Sequence, residues 1–426
     1  MNAAPKPPHG PLRVLIAGGG VAAIEALLAL RHLAGERVKV ELLSPCPELE
    51  YRPLAVAEPF GIGRSRSYEL DKIVRDQGAR LREGGLAEVR PNEREVVTLE
   101  GEILGYDALL VAVGAKATIG LPGAITVKGP RFTRRFRALL EEIDDGRIHR
   151  LAFAVPPGAS WPLPLYELAL LTARHAGDHG LRDIDFTLVT PESEPLELFG
   201  ARAAAAARKL LAKRGIQLVT GRYAADIDDD GLRLVPPDPP SLAADRVVSL
   251  PLLRGPRIPG LPADPDGYIP TDLHARVMGA DHVYAAGDAT VFPIKQGGIA
   301  TQQADAAAEA IAAAAGAEIE PRPFRPVLRG MLLTGDAPQY MRSELSGGHG
   351  DRAEVADSAL WWPPSKIAGR YLSPYLGLHH AEFETGGAGI QVEVDLQSNP
   401  APGVRRRAIV SPGAGVLLNQ EASPPR

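Results

Sequence analysis

Three apolar runs that end in glycine, two of them ahead of a helical segment, and a repeated alternation of strands with helices predict an α/β protein. Two doubly wound parallel sheets are expected, one inserted into the other, with a smaller α+β region at the C-terminus. The first run is Leu12–Ala17, followed by three glycines and a helix reaching Leu30. The second is Ala108–Val113, introduced by Tyr106-Asp107 and closed by Gly114. The third ends at Gly287-Asp288, after which a glycine pair, Gly297-Gly298, precedes an alanine-rich helix expected to start near Ile299.

The first segment has the spacing Gly18-x-Gly20-x-x-Ala23, a dinucleotide fingerprint with alanine in the tolerated third place. Gly18 permits the turn from strand to helix. Gly20 lets the backbone approach a pyrophosphate, and Ala23 keeps helix and strand close. A diphosphate would meet unpaired N–H groups and the positive end of the helix dipole. In the third segment, Asp288 at a strand end suits hydrogen bonding to a polyol chain. The helix after it aims its dipole at whatever lies beyond, which for a flavin is the N1–C2=O edge.

These three segments resemble the two-dinucleotide-domain flavoproteins, in particular the branch of type II NADH:quinone oxidoreductases, sulfide:quinone reductases and ferredoxin–NAD reductases. The resemblance runs from about Leu12 to Ala315 and implies two Rossmann-like domains and a bound FAD. Gly18, Gly20 and Ala23 would hold its pyrophosphate, and Gly114 would pass close to it. Gly287 and Asp288 would meet the ribitol, and Ala300 the pyrimidine end of the flavin. Tyr51-Arg52-Pro53-Leu54 matches a loop lying along FAD, which makes Arg52 a binding residue. The family ends its second strand in an acidic residue for the adenine ribose. Here that place holds Ser44, whose hydroxyl can also bond a ribose oxygen, with Glu48 nearby. Gln302 and Gln303 stand where quinone-reducing relatives carry glutamine, and Lys295 could stabilise an anionic reduced flavin. Gln302, Asp305 and Glu309 fall on one polar face, so Gln303 and Lys295 are the expected catalytic side chains.

A chain of 426 residues supports two or three domains. Its net charge of −5 gives no electrostatic case for nucleic acid, and Arg405-Arg406-Arg407 reads as a solvated triplet. The N-terminal arm lacks an apolar core of the signal-peptide kind, and Val14–Leu30 carries glycines and Glu25, so a cytoplasmic protein is expected. The single cysteine, Cys46, rules out an intramolecular redox disulfide. Dithiol relays and the cysteine-pair chemistry of sulfide oxidation are removed with it.

Two Pro/Gly-rich crossings, Ile119–Pro130 and Arg254–Pro265, suggest an inserted domain. The boundaries read 1–120 and 256–320 for the two parts of the FAD domain, 121–255 for the insert and 321–426 for the C-terminal region. Within the insert, Leu151–Val155, Ile184–Val189 and Ile216–Val219 read as strands, and Leu163–Arg174 and Gly200–Lys213 as helices. Its first turn, Pro156–Pro162, lacks the glycine pattern, and its prolines remove N–H donors. NAD(P)H is therefore one candidate donor, with Gly158, Ser160 and Glu192 as its contacts. A non-nicotinamide donor or a protein partner is the alternative, and a flavin-binding regulatory protein is the non-catalytic one.

In the C-terminal region, Phe324–Leu333 and Tyr340–Leu345 resemble strands. Ser365–Leu378 could gather Ile367, Tyr371, Leu372, Tyr375 and Leu378 on one face, with Pro374 interrupting any long helix. With Trp361-Trp362, that face could roof a flavin ring, press on a bilayer surface or pack on its own domain. A small-molecule donor and acceptor are the expected partners, with peripheral membrane contact and a homodimer as further candidates. His175-x-x-x-His179 has metal-binding spacing but sits at a helix end, where histidines stabilise the C-terminus, so no metal is expected.

Overall fold

The computed structural model describes residues 10–228, 231–236, 241–345 and 353–379, with two short strands at 408–409 and 417–418. The Arg405–Arg407 triplet and most of the tail from Gly386 lie outside these residues.

The chain opens with β1 (Leu12–Ala17), α1 (Val21–Ala34), β2 (Val38–Ser44), the hairpin β3 (Glu48–Tyr51) and β4 (Arg66–Glu69), α2 (Leu70–Asp76) and β5 (Arg80–Glu83). A meander of β6 (Leu86–Arg90), β7 (Glu95–Thr98) and β8 (Ile103–Gly105) leads to β9 (Ala108–Val111). β1 lies between β2 and β9, all parallel, and is buried along most of its length. That is why it reads as an unbroken apolar run rather than an alternating one.

Next come β10 (Lys116–Thr118), β11 (Ile125–Thr126), α3 (Pro130–Asp144), β12 (Arg150–Ala154), α4 (Leu163–Asp178), β13 (Asp185–Val189), α5 (Ala201–Lys213) and β14 (Ile216–Val219). A second meander, β15 (Tyr223–Asp228), β16 (Gly231–Val235) and β17 (Ser241–Leu242), precedes β18 (Arg246–Ser249). β19 (Leu252–Arg254) then pairs antiparallel with β10, so the stretches entering and leaving this region run side by side. β11, β18, β12, β13 and β14 form a five-stranded parallel sheet in that order.

The chain returns to the first sheet through β20 (Val283–Ala285), giving the order β20-β9-β1-β2-β5, and continues into α6 (Gly297–Ala314). Strand order reverses at β1 in the first sheet and at β12 in the second, the places where open α/β sheets leave a crevice at their strand ends. α1 packs along α6. A three-stranded antiparallel sheet, β21 (Val327–Leu332), β22 (Gln339–Glu344) and β23 (Ala353–Ala356), follows, then α7 (Leu372–His379). Two parallel α/β sheets and a smaller α+β region are thus present. Residues to Ser373 form one compact unit and those from Pro374 a second.

The C-terminal reading needs correction. Residues 365–371 are bends and irregular chain rather than the start of a helix, and α7 begins only at Leu372. Pro374 stands in its first turn, where no intrahelical N–H bond is lost, so it does not interrupt the helix.

Candidate functional site

The crevice at the end of β1 is built by backbone fit. Gly18 has φ +126°, and a Cβ there would lie 2.2 Å from the Ala112 carbonyl oxygen. Its N–H donates to Leu43 O at 2.8 Å, and Ala112 N donates to Ala17 O at 2.7 Å, fixing the turn between β2 and β9. Gly20 caps α1 without a side-chain hydrogen bond, and a Cβ on it would meet no atom within 4 Å. The first turn of α1 thus faces open space beyond Gly20, while Ala23 is fully buried behind it. Gly114 also borders open space.

The strand-end turn after β20 is braced by Gln303. Its Oε1 accepts from Gly287 N at 2.8 Å, and its Nε2 donates to Thr290 Oγ1 at 3.1 Å. A Cβ on Gly287 would lie 3.2 Å from Ala22 and 3.5 Å from Ala300, so α1, this turn and α6 meet there. The Asp288 carboxylate, held on this turn, has no hydrogen-bond or ion-pair partner among the described residues. Burial pushes its pKa up, and Lys295 pulls it back. Lys295 donates to Thr290 O and lies 3.9 Å over the Tyr268 ring. Burial lowers its pKa to about 8, against the pull of Asp288 and Asp264.

Several polar residues are placed differently from the sequence reading. The Gln303 amide is buried on the Gly287–Thr290 turn, so it acts as a brace. Gln302 is not solvent-facing: it donates to Val327 O and accepts from Val327 N, both at 2.9 Å. Glu309 is buried against Arg322, and Asp305 lies beside Glu25. α6 starts at Gly297, and its N-cap Gln296 accepts from Ile299 N at 3.0 Å. Ser44 Oγ donates to Cys46 O at 2.8 Å, closing a local turn. Arg52 pairs with Glu50. Trp361 donates to Ser365 O at 2.8 Å and packs on Tyr340, while Trp362 is about half exposed.

The crevice of the second sheet is arranged otherwise. Pro162 caps α4 and Pro164 follows in its first turn, so neither carries an N–H. Leu165 N donates back to Pro162 O at 3.0 Å. A Cβ on Gly120 would lie 2.9 Å from Pro156 Cγ, so the incoming chain packs closely on the turn. Glu192 is turned inward: Oε2 accepts from Tyr166 OH at 2.6 Å and Thr190 Oγ1 at 2.8 Å. Its other oxygen is buried without a partner, and burial pushes its pKa up. This does not match the outward ribose contact expected of it.

Residues 166–314 match the family model described as pyridine nucleotide-disulphide oxidoreductase. Among solved structures, the chain is similar to the sulfide:quinone oxidoreductase of the hyperthermophilic bacterium Aquifex aeolicus. The two are 19% identical with a TM-score of 0.73, covering 81% of this chain and 86% of that one. A ferredoxin reductase from Rhodopseudomonas palustris matches at 18% identity and a TM-score of 0.60, covering 79% and 83%. A putidaredoxin reductase, solved in covalent complex with putidaredoxin, matches at 18% and 0.57, covering 80% and 83%. At such identities these likenesses establish the fold. Together with the family match over residues 166–314, they support flavin-based oxidoreductase activity, and the single cysteine leaves the chain without an intramolecular redox disulfide.

Proposed function

We propose that this protein passes electrons from a small-molecule donor to a quinone, with FAD held in the crevice at the end of β1. The observation that carries the reading is the Asp288 carboxylate, partly buried at a strand end and without a hydrogen-bond partner among the described residues. A carboxylate largely withdrawn from water gains from donors, and the hydroxyls of a ribitol would supply them. Gly18, Gly20 and Ala23 would seat the diphosphate on the uncapped turn of α1. Gly114, Gly287 and Ala300 would line the path toward the ring. Ser44 would border the adenine ribose and Arg52 would lie along FAD, though each already has a partner in the chain.

Bound FAD would supply the two-electron chemistry. Lys295 would place a positive charge near Asp288 and the reactive end, and Gln303 would hold the turn carrying Asp288. The exposed Trp362 is the candidate contact with a bilayer from which quinone is drawn. No helix among the described residues is long and apolar enough to cross a membrane.

A donor other than NAD(P)H is favoured by the second crevice, where Pro162, Pro164 and the inward Glu192 leave few groups to hold a dinucleotide. The test is anaerobic mixing of purified holoprotein with NADH and NADPH separately, then with a soluble quinone, following flavin absorbance. A yellow protein, reduced by dithionite and reoxidised on adding quinone, is expected. A colourless protein that takes up no FAD would overturn the reading.

A further inference from the structure

The ends of α3 and α4 bring together three groups far from both crevice turns in sequence. We propose that Asp144, His175 and His179 form a binding site for a borderline divalent cation, zinc being the type case. One ligand atom from each residue lies within 4.8 Å of the other two. Sequence spacing offers only the two histidines, one helical turn apart. The fold adds the carboxylate, 31 residues upstream, with Asp144 Oδ1 2.8 Å from His175 Nε2.

The nitrogens are set up for coordination. His179 Nδ1 lies 2.8 Å from the His175 carbonyl oxygen and donates its hydrogen there, which leaves Nε2 as the lone-pair nitrogen. Metal-ligating histidines are oriented by such a bond from their other nitrogen. The two imidazole rings lie 4.2 Å apart, and Phe60 backs His175 at 6.3 Å. A cation entering here would take His175 Nε2 and Asp144 Oδ1 in place of the hydrogen between them. His175 would then carry its proton on Nδ1, the Nε2 proton being exchanged through solvent, so that the ring ligates as neutral imidazole. With zinc bonds of about 2.0–2.2 Å, tetrahedral ligand atoms stand about 3.3–3.6 Å apart, so Asp144 Oδ1 and His175 Nε2 must separate slightly and any wider gap must close. His179 and Asp144 are both exposed, so side-chain rotation can close the gap.

The surroundings favour a cation. α3 ends at Asp144 and α4 at Asp178, so two helix C-termini, each carrying partial negative charge, converge on this point. An ion bridging them would cross-brace the two helices. Two imidazoles and one carboxylate suit zinc, nickel or copper better than magnesium or calcium. The proposal is independent of the flavin reading.

The test is calorimetric titration of the full-length chain, stripped with chelator, with zinc chloride, alongside His179→Ala and Asp144→Asn. Both substitutions are at exposed positions and should leave the fold intact. One site of micromolar affinity is expected, weakened at least about tenfold by either change. Cobalt should give the visible bands of a tetrahedral site in the parent chain and lose them in His179→Ala. Absence of binding, or zinc bound with unchanged affinity in both variants, would overturn the proposal.

Discussion

Lys366 reaches from the C-terminal segment to α4 and places its Nζ 2.6 and 2.7 Å from the two carboxylate oxygens of Glu167. The side chains are 9% and 1% exposed, and Leu333 N donates to the same carboxylate at 2.9 Å. Burial pushes the Glu167 pKa up, while the ammonium and the amide pull against it. This pair ties 363–369 to the helix that follows the second crevice. Replacing Lys366 with Met strands a buried carboxylate and should destabilise the fold by about 3–5 kcal/mol. Lys366→Met with Glu167→Met should recover most of that loss. Urea denaturation of parent, single and double variants measures it. Equal losses in single and double variants would mean that packing, not charge, holds the segment.

Asp288→Ala should move two quantities in opposite directions. The apoprotein loses a partly buried carboxylate without hydrogen-bond donors, so its melting temperature should rise. FAD should bind more weakly by about 1.5–3 kcal/mol, roughly 10- to 150-fold. Flavin titration with thermal melts of the apoprotein checks both. Unchanged FAD affinity would remove Asp288 from the site.

Much of the fold was legible because buried parallel strands are continuous apolar runs. Leu12–Ala17 and Ile216–Val219 emerge as read, and Ala108–Val113 is shortened to Ala108–Val111. The strand-end glycines were legible through their spacing. Side-chain direction at polar positions was not. Gln302, Asp305 and Glu309 recur at helical intervals, which reads as a solvated face. In the fold that face meets Val327, Glu25 and Arg322. Glu192 follows its strand as a ribose acceptor would, yet Tyr166 turns it inward. Such partners lie tens of residues away and leave no local periodicity. The two three-stranded meanders were missed too, because strands of two to six residues are too short to establish a periodicity.

Stability should depend on pH through Glu25 and Asp305. Glu25, on α1, accepts from Tyr371 N at 2.9 Å and Leu372 N at 2.7 Å. Asp305, on α6, is hydrogen-bonded to it and has one oxygen buried without a partner. Glu309, Arg322, Arg370 and Tyr371 are the other charged or titratable groups facing Asp305. Burial raises both carboxyls, which favours one proton held between them in the folded state. A carboxyl with a raised folded pKa stabilises below its unfolded pKa, about 4, and loses that contribution as pH rises through the folded value. The parent should therefore lose stability relative to Asp305→Asn as pH rises from about 4, by at most about 1.4 kcal/mol per unit. Melting curves across pH test this. Parallel curves for the two proteins would show that Asp305 does not hold the proton.

Cys46→Ser should leave turnover unchanged with whichever donor and acceptor prove active. Cys46 is exposed, and its contacts with Ser44 run through its backbone N–H and carbonyl. Steady-state assays with FAD content measured in parallel decide it. Loss of most activity at full FAD occupancy would point to a thiol function between subunits.

Nicotinamide nucleotides should bind weakly. A diphosphate at the end of β12 would look to the first turn of α4 for donors. There Pro162 and Pro164 have none, and the Leu165 N–H is engaged with Pro162 O. Charge-assisted hydrogen bonds contribute about 1.5–3 kcal/mol each, so losing two costs at least about 100-fold in affinity. Glu192 cannot serve the ribose without giving up Tyr166 and Thr190. Calorimetric titration of oxidised holoprotein with NADH and NADPH should give dissociation constants in the high micromolar range or weaker. Glu192→Gln should change them little, because that side chain already faces inward. Low-micromolar binding, lost in Glu192→Gln, would mean that Glu192 swings outward to meet the nucleotide and that nicotinamide is the physiological donor after all.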